Sequence, residues 1–251
     1  MNNIVLNLLK IHVMFDINGY CIISNVFNKN EVDTINREIT EVENADVYHD
    51  SNGNLRRVER LCDKGEFLKM ANQRCIEALE KKFNNKFSIF KDKYNAKPPG
   101  GEGFFSHFDG IFMFKNAQDE QKKGWYEYSD FFINILIALD PCNLNNGTIQ
   151  ISKKIDLEFD ELIKLTRQNG TPDLNEEFEK TIDFEPIILN PGDIVLFLNT
   201  CPHKSSKNKS KLDRRTLYFT YTKGEVSHYN DYFNDKLNSK NETSKALSGD
   251  I

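Results

Sequence analysis

Apolar residues recur at helical spacing in two stretches of the first third of the chain, then give way to short runs punctuated by turn residues. In residues 31–43, Val32, Ile35, Ile39 and Val42 fall on one helical face, with Asn30 expected as the N-cap. Residues 66–83 repeat the pattern through Leu68, Ala71, Cys75, Leu79 and Phe83. These two helices are expected to pack as a scaffold on a sheet. Ahead of them, Phe15-Asp-Ile-Asn-Gly-Tyr-Cys-Ile-Ile predicts a short helix, a Gly turn and a first strand. The apolar run from Ile4 to Leu9 predicts an N-terminal helix or an extension ahead of Met14. It is too short to span a bilayer and lacks the basic flank and small-residue cleavage site of a secretion signal.

From Phe87 onward, β-type runs occupy residues 87–94, 103–107, 131–139, 148–152, 187–189, 194–199 and 216–222. Pro141 with the cluster from Asn143 to Gly147 marks one turn, and Asn190-Pro-Gly-Asp marks another. Many short strands separated by such turns indicate a sandwich or barrel. The expected fold is therefore mainly β, with a jelly-roll (double-stranded β-helix) core and flanking helices. A single domain over residues 1–251 is expected, with a mainly helical scaffold at 1–85, the β-core at 86–225 and a tail at 226–251. Charged residues 157–185, with a helix at 159–167, read as an insertion that is either a lid or plain surface. Residues 110–123 form a long polar loop beside the first motif below, where loops often set selectivity.

Composition narrows the class. At 251 residues, with 39% hydrophobic and 28% charged side chains, the chain can bury one core and resembles neither a disordered nor a membrane-spanning protein. A net charge of −5 argues against nucleic acid as a partner, although residues 204–215 are locally basic. Cys21, Cys62, Cys75, Cys142 and Cys201 are odd in number and form no Cys-x-x-Cys pair, which fits a reducing cytoplasm better than a disulfide framework.

The candidate chemistry lies in two places. His107 and Asp109 stand in Ser-His-Phe-Asp-Gly, a weak motif by itself. Downstream, Asn190-Pro-Gly-Asp feeds an apolar run that leads to His203. Two imidazoles and one carboxylate on one metal leave three octahedral positions open, which suits non-haem Fe(II). Zinc is the rival, but a structural zinc site needs four protein ligands, and no suitable Cys spacing is present. Arg214 offers a planar fork that can grip a carboxylate with two hydrogen bonds. Arg215 competes with it, because strand alternation turns only one of two neighbours inward.

Taken together, these motifs resemble the phytanoyl-CoA dioxygenase family of Fe(II)- and 2-oxoglutarate-dependent oxygenases. The likeness runs through Asn18-Gly-Tyr-Cys-Ile-Ile, Lys97-Pro-Pro-Gly, Asn146-Gly-Thr, Pro191-Gly-Asp and His203-x-Ser-x-x-Asn-x-Ser, and ends on Arg214. It implies that His107, Asp109 and His203 bind iron and that Arg214, eleven residues past His203, binds the distal carboxylate of 2-oxoglutarate. Ser205 and Asn95 are the further cosubstrate contacts it implies, and dioxygen is the oxidant. Where the family usually has Pro-Gly-Ser-His after the central strand, this chain reads Ile151-Ser-Lys-Lys, which puts the neighbouring substrate contacts in doubt. Retention of Asp109 favours hydroxylation over halogenation.

Leu55-Arg-Arg-Val-Glu-Arg, Gly124-Trp-Tyr-Glu-Tyr-Ser-Asp and the stretch from Arg214 to Lys236 are similar to the branch of the family that acts on 2-aminoethylphosphonate. A phosphonate needs cations, for which Arg57, Arg60 and Lys97 are the candidates; Trp125 is expected to wall the pocket, stack on an ammonium group or pack in the core. His12 and His49 have no motif context, and His228, in the tail with Tyr229, Tyr232 and Phe233, reads as a packed or surface residue rather than a fourth ligand. The leading expectation is hydroxylation of a small polar metabolite, with an organophosphonate such as 2-aminoethylphosphonate foremost. The same chemistry on an acyl-CoA, amino acid or secondary metabolite is the first alternative, and a non-catalytic jelly-roll metal- or ligand-binding module is the second. No membrane partner is expected, and the oligomeric state is left open.

Overall fold

The computed structural model describes residues 14–50, 53–116 and 119–238; the run from Ile4 to Leu9 and residues 239–251 of the tail lie outside them. Two antiparallel sheets face each other as a jelly roll. In the larger, β1 (Tyr20–Ile23), β11 (Ile194–Leu198), β8 (Phe132–Ala138), β13 (Arg214–Lys223), β4 (Phe87–Lys97), β3 (Leu55–Glu59) and β2 (Asp46–His49) lie side by side in that order. The smaller sheet orders β10 (Glu185–Pro186), β9 (Ile149–Ile151), β12 (His203–Ser205) and β5 (Phe104–His107).

The central strands of the larger sheet are buried on both sides, so they read as near-continuous apolar runs; every residue of β8 is buried. Outward-facing Ile133, Ile135, Ile137, Leu217, Phe219 and Tyr221 pack under two helices, α1 (Lys29–Glu41) and α2 (Glu66–Phe83). Val32, Ile35 and Ile39 of α1 and Leu68, Ala71, Cys75 and Leu79 of α2 supply the helical side, as their spacing requires. On the inner face, Leu136, Ala138, Val195, Phe197 and Tyr218 meet Ile149, Ile151, Ile187 and Leu189. That second core fills one end between the sheets and leaves the other end for the site.

Several expectations are corrected. Asn28, not Asn30, caps α1: its side chain accepts from the Glu31 backbone N–H while Glu31 accepts from the Asn28 N–H, a reciprocal capping box. The first 85 residues hold the hairpin β2–β3 as well as helices, and β3 joins the sheet through β4. Its Leu-Arg-Arg-Val-Glu lacks clean apolar alternation because Arg57 and Glu59 are buried as charges. Helix 159–167 is shorter, Phe159–Leu162 followed by a 3₁₀ turn Ile163–Leu165. In place of a strand at 187–189, Glu185–Pro186 pairs with β9, and Leu189 only bridges Cys142.

Neither polar insertion is merely surface. Phe159, Leu162 and Leu174 of the charged segment pack on Phe108 and Ile111 in a satellite core. The 110–123 stretch buries Ile111 and Phe112 and forms a small hairpin, β6 (Phe114–Lys115) with β7 (Gln121–Lys122). All five cysteines are buried and unpaired. Among the described residues no helix is long and apolar enough to cross a membrane.

Candidate metal centre and substrate cavity

β5 and β12 are antiparallel neighbours in which His107 and His203 are directly paired, bringing their ring centroids to 4.2 Å. Asp109 follows two residues past the end of β5, and the ligand atoms of the three side chains lie within 4.8 Å of one another. Gly110 lets the chain leave at φ +76°, and a Cβ there would come within 2.4 Å of the Trp125 ring, so the turn that presents Asp109 requires glycine. His203 is not the last residue of the apolar run; β11 ends at Leu198 and a turn, closed by the Cys201 N–H on the Leu198 carbonyl, delivers it as the first residue of β12.

Each imidazole is oriented by its own backbone. His107 Nδ1 lies 2.7 Å from the Phe105 carbonyl and His203 Nδ1 lies 3.1 Å from the Cys201 carbonyl. A carbonyl only accepts, so both rings carry their proton on Nδ1 and offer the Nε2 lone pair to the site. Burial, together with the neighbouring His203, pushes His107 down to about 4, and burial likewise lowers His203. Both are neutral at physiological pH, so the 3.6 Å approach of His203 Nε2 to Asp109 is two ligand atoms converging rather than an ion pair. Burial alone would raise the Asp109 carboxyl, but His203 and His107, which are charged in the acid range where it titrates, hold it down at about 2 together with Lys93 and Lys91. Thr220 donates to Asn134 at 2.7 Å and Asn134 donates to Asp109 at 3.0 Å, fixing the carboxylate. Two neutral imidazoles and an anionic carboxylate, deprotonated and aimed at one point, are the donor set that a divalent metal needs.

Beside the triad opens a cavity of about 630 Å³ lined by residues of both sheets. On β13, Arg214 faces into it at 3% exposure; among the described residues it donates only to Thr216 at 3.3 Å, and its Nε has no partner. Arg215 faces the other way and grips Asp140 with two bonds of 2.7 and 2.8 Å. Asn95 and Ser205 line the same cavity, and the buried Asn95 carbonyl oxygen is also without a partner among the described residues. A buried guanidinium and an adjacent orphaned amide leave polar groups for an incoming dicarboxylate to satisfy. Asn208 of the downstream motif bonds the Lys97 and Leu212 carbonyls, bracing the loop that returns the chain to Arg214.

Of the residues proposed for an anion, only Arg57 lines the cavity. Arg60 is corrected: its guanidinium pairs with Asp46 at 2.7 Å, away from the lining. Lys97 is also displaced, since its ammonium donates to Ser205 Oγ at 2.8 Å, the Ser206 carbonyl at 2.7 Å and the Gly147 carbonyl at 3.2 Å. It therefore orients Ser205 from beneath. Trp125 does wall the cavity, and it also packs on Phe90, Phe132 and Tyr232.

Sequence reading missed Lys91 and Lys93, which line the cavity with Asn95. The signal was there: Lys91, Lys93, Asn95 and Lys97 recur at period two, a polar stripe on one face of a long interior strand. Lys91 also faces the rings of Trp125 and Tyr232, while Lys93 covers Tyr218 at 4.7 Å. Behind them Glu59 is fully buried. Its carboxylate, 3.6 Å from Arg57 and 3.9 Å from Lys91, is also bonded by Lys236 of the helix α3 (Tyr229–Asn238). Burial would raise Glu59, but Lys91, Lys236 and Arg57 hold it at about 2.

A double-stranded β-helix carrying a two-histidine, one-carboxylate cluster at its open end defines the class of cupin-like non-haem metal oxygenases. The profile of the phytanoyl-CoA dioxygenase (PhyH) family matches residues 15–216, and the chain belongs to that family. It is 33% identical over 152 residues to a methylphosphonate hydroxylase of Gimesia maris, covering 60% of this chain and 52% of that protein. It is 30% identical over 149 residues to a 2-aminoethylphosphonate dioxygenase of an uncultured bacterium, covering 59% and 51%. The matched region thus spans about half the length of these curated relatives. Among solved structures, EctD from S. alaskensis with 2-oxoglutarate and 5-hydroxyectoine superposes at a TM-score of 0.64, with 16% identity, over 84% of this chain and 74% of that one. At that identity the likeness is one of fold.

Proposed function

We propose that this chain is an Fe(II)- and 2-oxoglutarate-dependent dioxygenase that hydroxylates a small polar metabolite, with organophosphonates the foremost substrate class. The observation that carries it is the juxtaposition of a deprotonated His107, Asp109, His203 cluster with Arg214, a buried cavity-facing cation that has no carboxylate partner among the described residues. When bound, iron and 2-oxoglutarate supply the activation of dioxygen: 2-oxoglutarate, dioxygen and a substrate C–H become succinate, carbon dioxide and the alcohol.

The protein's part is positioning. His107 and His203 present Nε2, and Asp109, held by Asn134, presents its carboxylate; these three would hold Fe(II), and three protein ligands would leave it positions open to cosubstrate and dioxygen. Arg214 would hold the far carboxylate of 2-oxoglutarate, assisted by Asn95 and by Ser205, itself oriented by Lys97. The substrate enters between Trp125 and the Arg57, Lys91, Lys93 wall, whose positive charge suits an anion. Relatives named for phosphonate chemistry support that class.

The test is formation of succinate from 2-oxoglutarate, with Fe(II), over a panel of phosphonates, amino acids and acyl thioesters. Phosphonates should stimulate turnover above the uncoupled background. Stimulation by acyl thioesters alone would overturn the substrate class, and no iron-dependent succinate with any compound would overturn the oxygenase reading.

A further inference from the structure

The cationic end of the cavity distinguishes between two kinds of phosphonate. Within ion-pair distance among the described residues Lys91 has one carboxylate, Glu59 at 3.9 Å, and that carboxylate is already shared with Arg57 and Lys236. Lys93 has no carboxylate within ion-pair distance among the described residues and rests on the face of Tyr218. Burial lowers both lysines, Lys93 to about 8, with Asp109 opposing the fall at Lys93 and Glu59 at Lys91. Two ammonium groups side by side on one strand, neither with a counter-charge of its own, match an anion that brings two charges.

A zwitterion fits poorly. Its ammonium would need a carboxylate or an open aromatic face. Of the carboxylates lining the cavity, Asp109 belongs to the metal cluster, Glu102 is paired with Lys207, and Asp173 is paired with Arg167 at 3.8 Å. The aromatic rings lining it are equally taken: Trp125 by Lys91, Tyr218 by Lys93, Phe104 by Arg56 and Lys97, and Phe105 by Arg167. An added ammonium would have to compete with Arg167 for Asp173 or with Lys207 for Glu102.

We infer that Lys91 and Lys93 form the head-group subsite for a small dianionic phosphonate that carries no ammonium group, a simple alkylphosphonate rather than an aminoalkylphosphonate. The inference rests on the oxygenase reading for calling that ligand the substrate.

Trp125, the only tryptophan, walls the cavity, so intrinsic fluorescence reads occupancy without turnover. Anaerobic Fe(II)-loaded protein is titrated with methylphosphonate, 2-aminoethylphosphonate and propionate. Methylphosphonate should bind at least about tenfold more tightly than either of the others, and Lys93→Met should weaken it by about tenfold or more, because a charge-assisted contact is lost. Lys93→Arg, which keeps the charge, should stay within about threefold of the parent. Equal or tighter binding of 2-aminoethylphosphonate, equal binding of propionate, or an unchanged Lys93→Met would each overturn the inference. Failure of the oxygenase reading would look different: no succinate from any anion, with the binding order intact.

Discussion

Arg214 and Arg215 are neighbours on one strand, and they carry opposite lessons. Arg215 lies on the outward face and is completed within the fold, with Asp140 accepting from its guanidinium and from its backbone N–H. Arg214 is turned inward, more deeply buried, and among the described residues left with a single long bond to Thr216. A buried charge without a partner is costly, so a fold that maintains one is holding it for something that arrives later. The contrast extends across the sheet: the outer face is closed by α1 and α2 with apolar side chains, while the inner face carries Lys91, Lys93, Asn95 and Arg214 around a cavity.

The sharpest way to break this contrast is at the metal cluster. Asp109→Ala removes the anionic ligand that Asn134 holds in place, and iron-dependent succinate formation should be lost entirely; turnover at the parental rate would dissolve the site. Next comes Glu59→Gln, which removes the carboxylate that Arg57, Lys91 and Lys236 share. Breaking a buried ion cluster from one side costs about 3–5 kcal/mol, read by urea unfolding at pH 7. The Glu59 carboxyl is held at about 2 in the folded chain, below its unfolded value, so the stability it contributes is full above about pH 4.5 and is lost as pH falls towards 2. The gap between parent and variant should therefore close over that window; a gap independent of pH would rule out the charge explanation.

The remaining pair separates the two arginines. Arg214→Ala should raise the 2-oxoglutarate requirement about 10- to 100-fold, from the loss of charge-assisted hydrogen bonds to a carboxylate. Arg215→Ala should leave that requirement unchanged and cost about 1 kcal/mol or less of folding stability, since its pair is partly open to solvent. If both variants moved the cosubstrate requirement alike, the inward and outward faces would not differ as described.

Much of this was legible beforehand because periodicity reports burial directly. The two helical stripes and the apolar runs of β8 and β11 located the scaffold and the sheet; alternation said that only one of Arg214 and Arg215 faces inward, and the eleven-residue spacing from His203 favoured Arg214. What stayed hidden was buried charge. β3 and the Lys91 to Lys97 stripe of β4 look solvent-facing in sequence, yet Arg57, Glu59, Lys91 and Lys97 are all buried. Nothing local reveals that they neutralise one another or await a ligand, because the partners come from elsewhere: Lys236 from α3, Ser205 from β12. For the same reason Arg60, one residue beyond Glu59, read as equivalent to Arg57 until its positive φ turned it towards Asp46.

The most direct measurement is an anaerobic titration of the purified protein with Fe(II) and 2-oxoglutarate, followed by the weak visible charge-transfer band of the iron chelate. The parent should develop the band and saturate, Arg214→Ala should need far more 2-oxoglutarate to reach it, and His203→Ala should not develop it. Iron bound to the parent without any band at saturating 2-oxoglutarate would contradict the account and leave a metal-binding jelly roll of another kind.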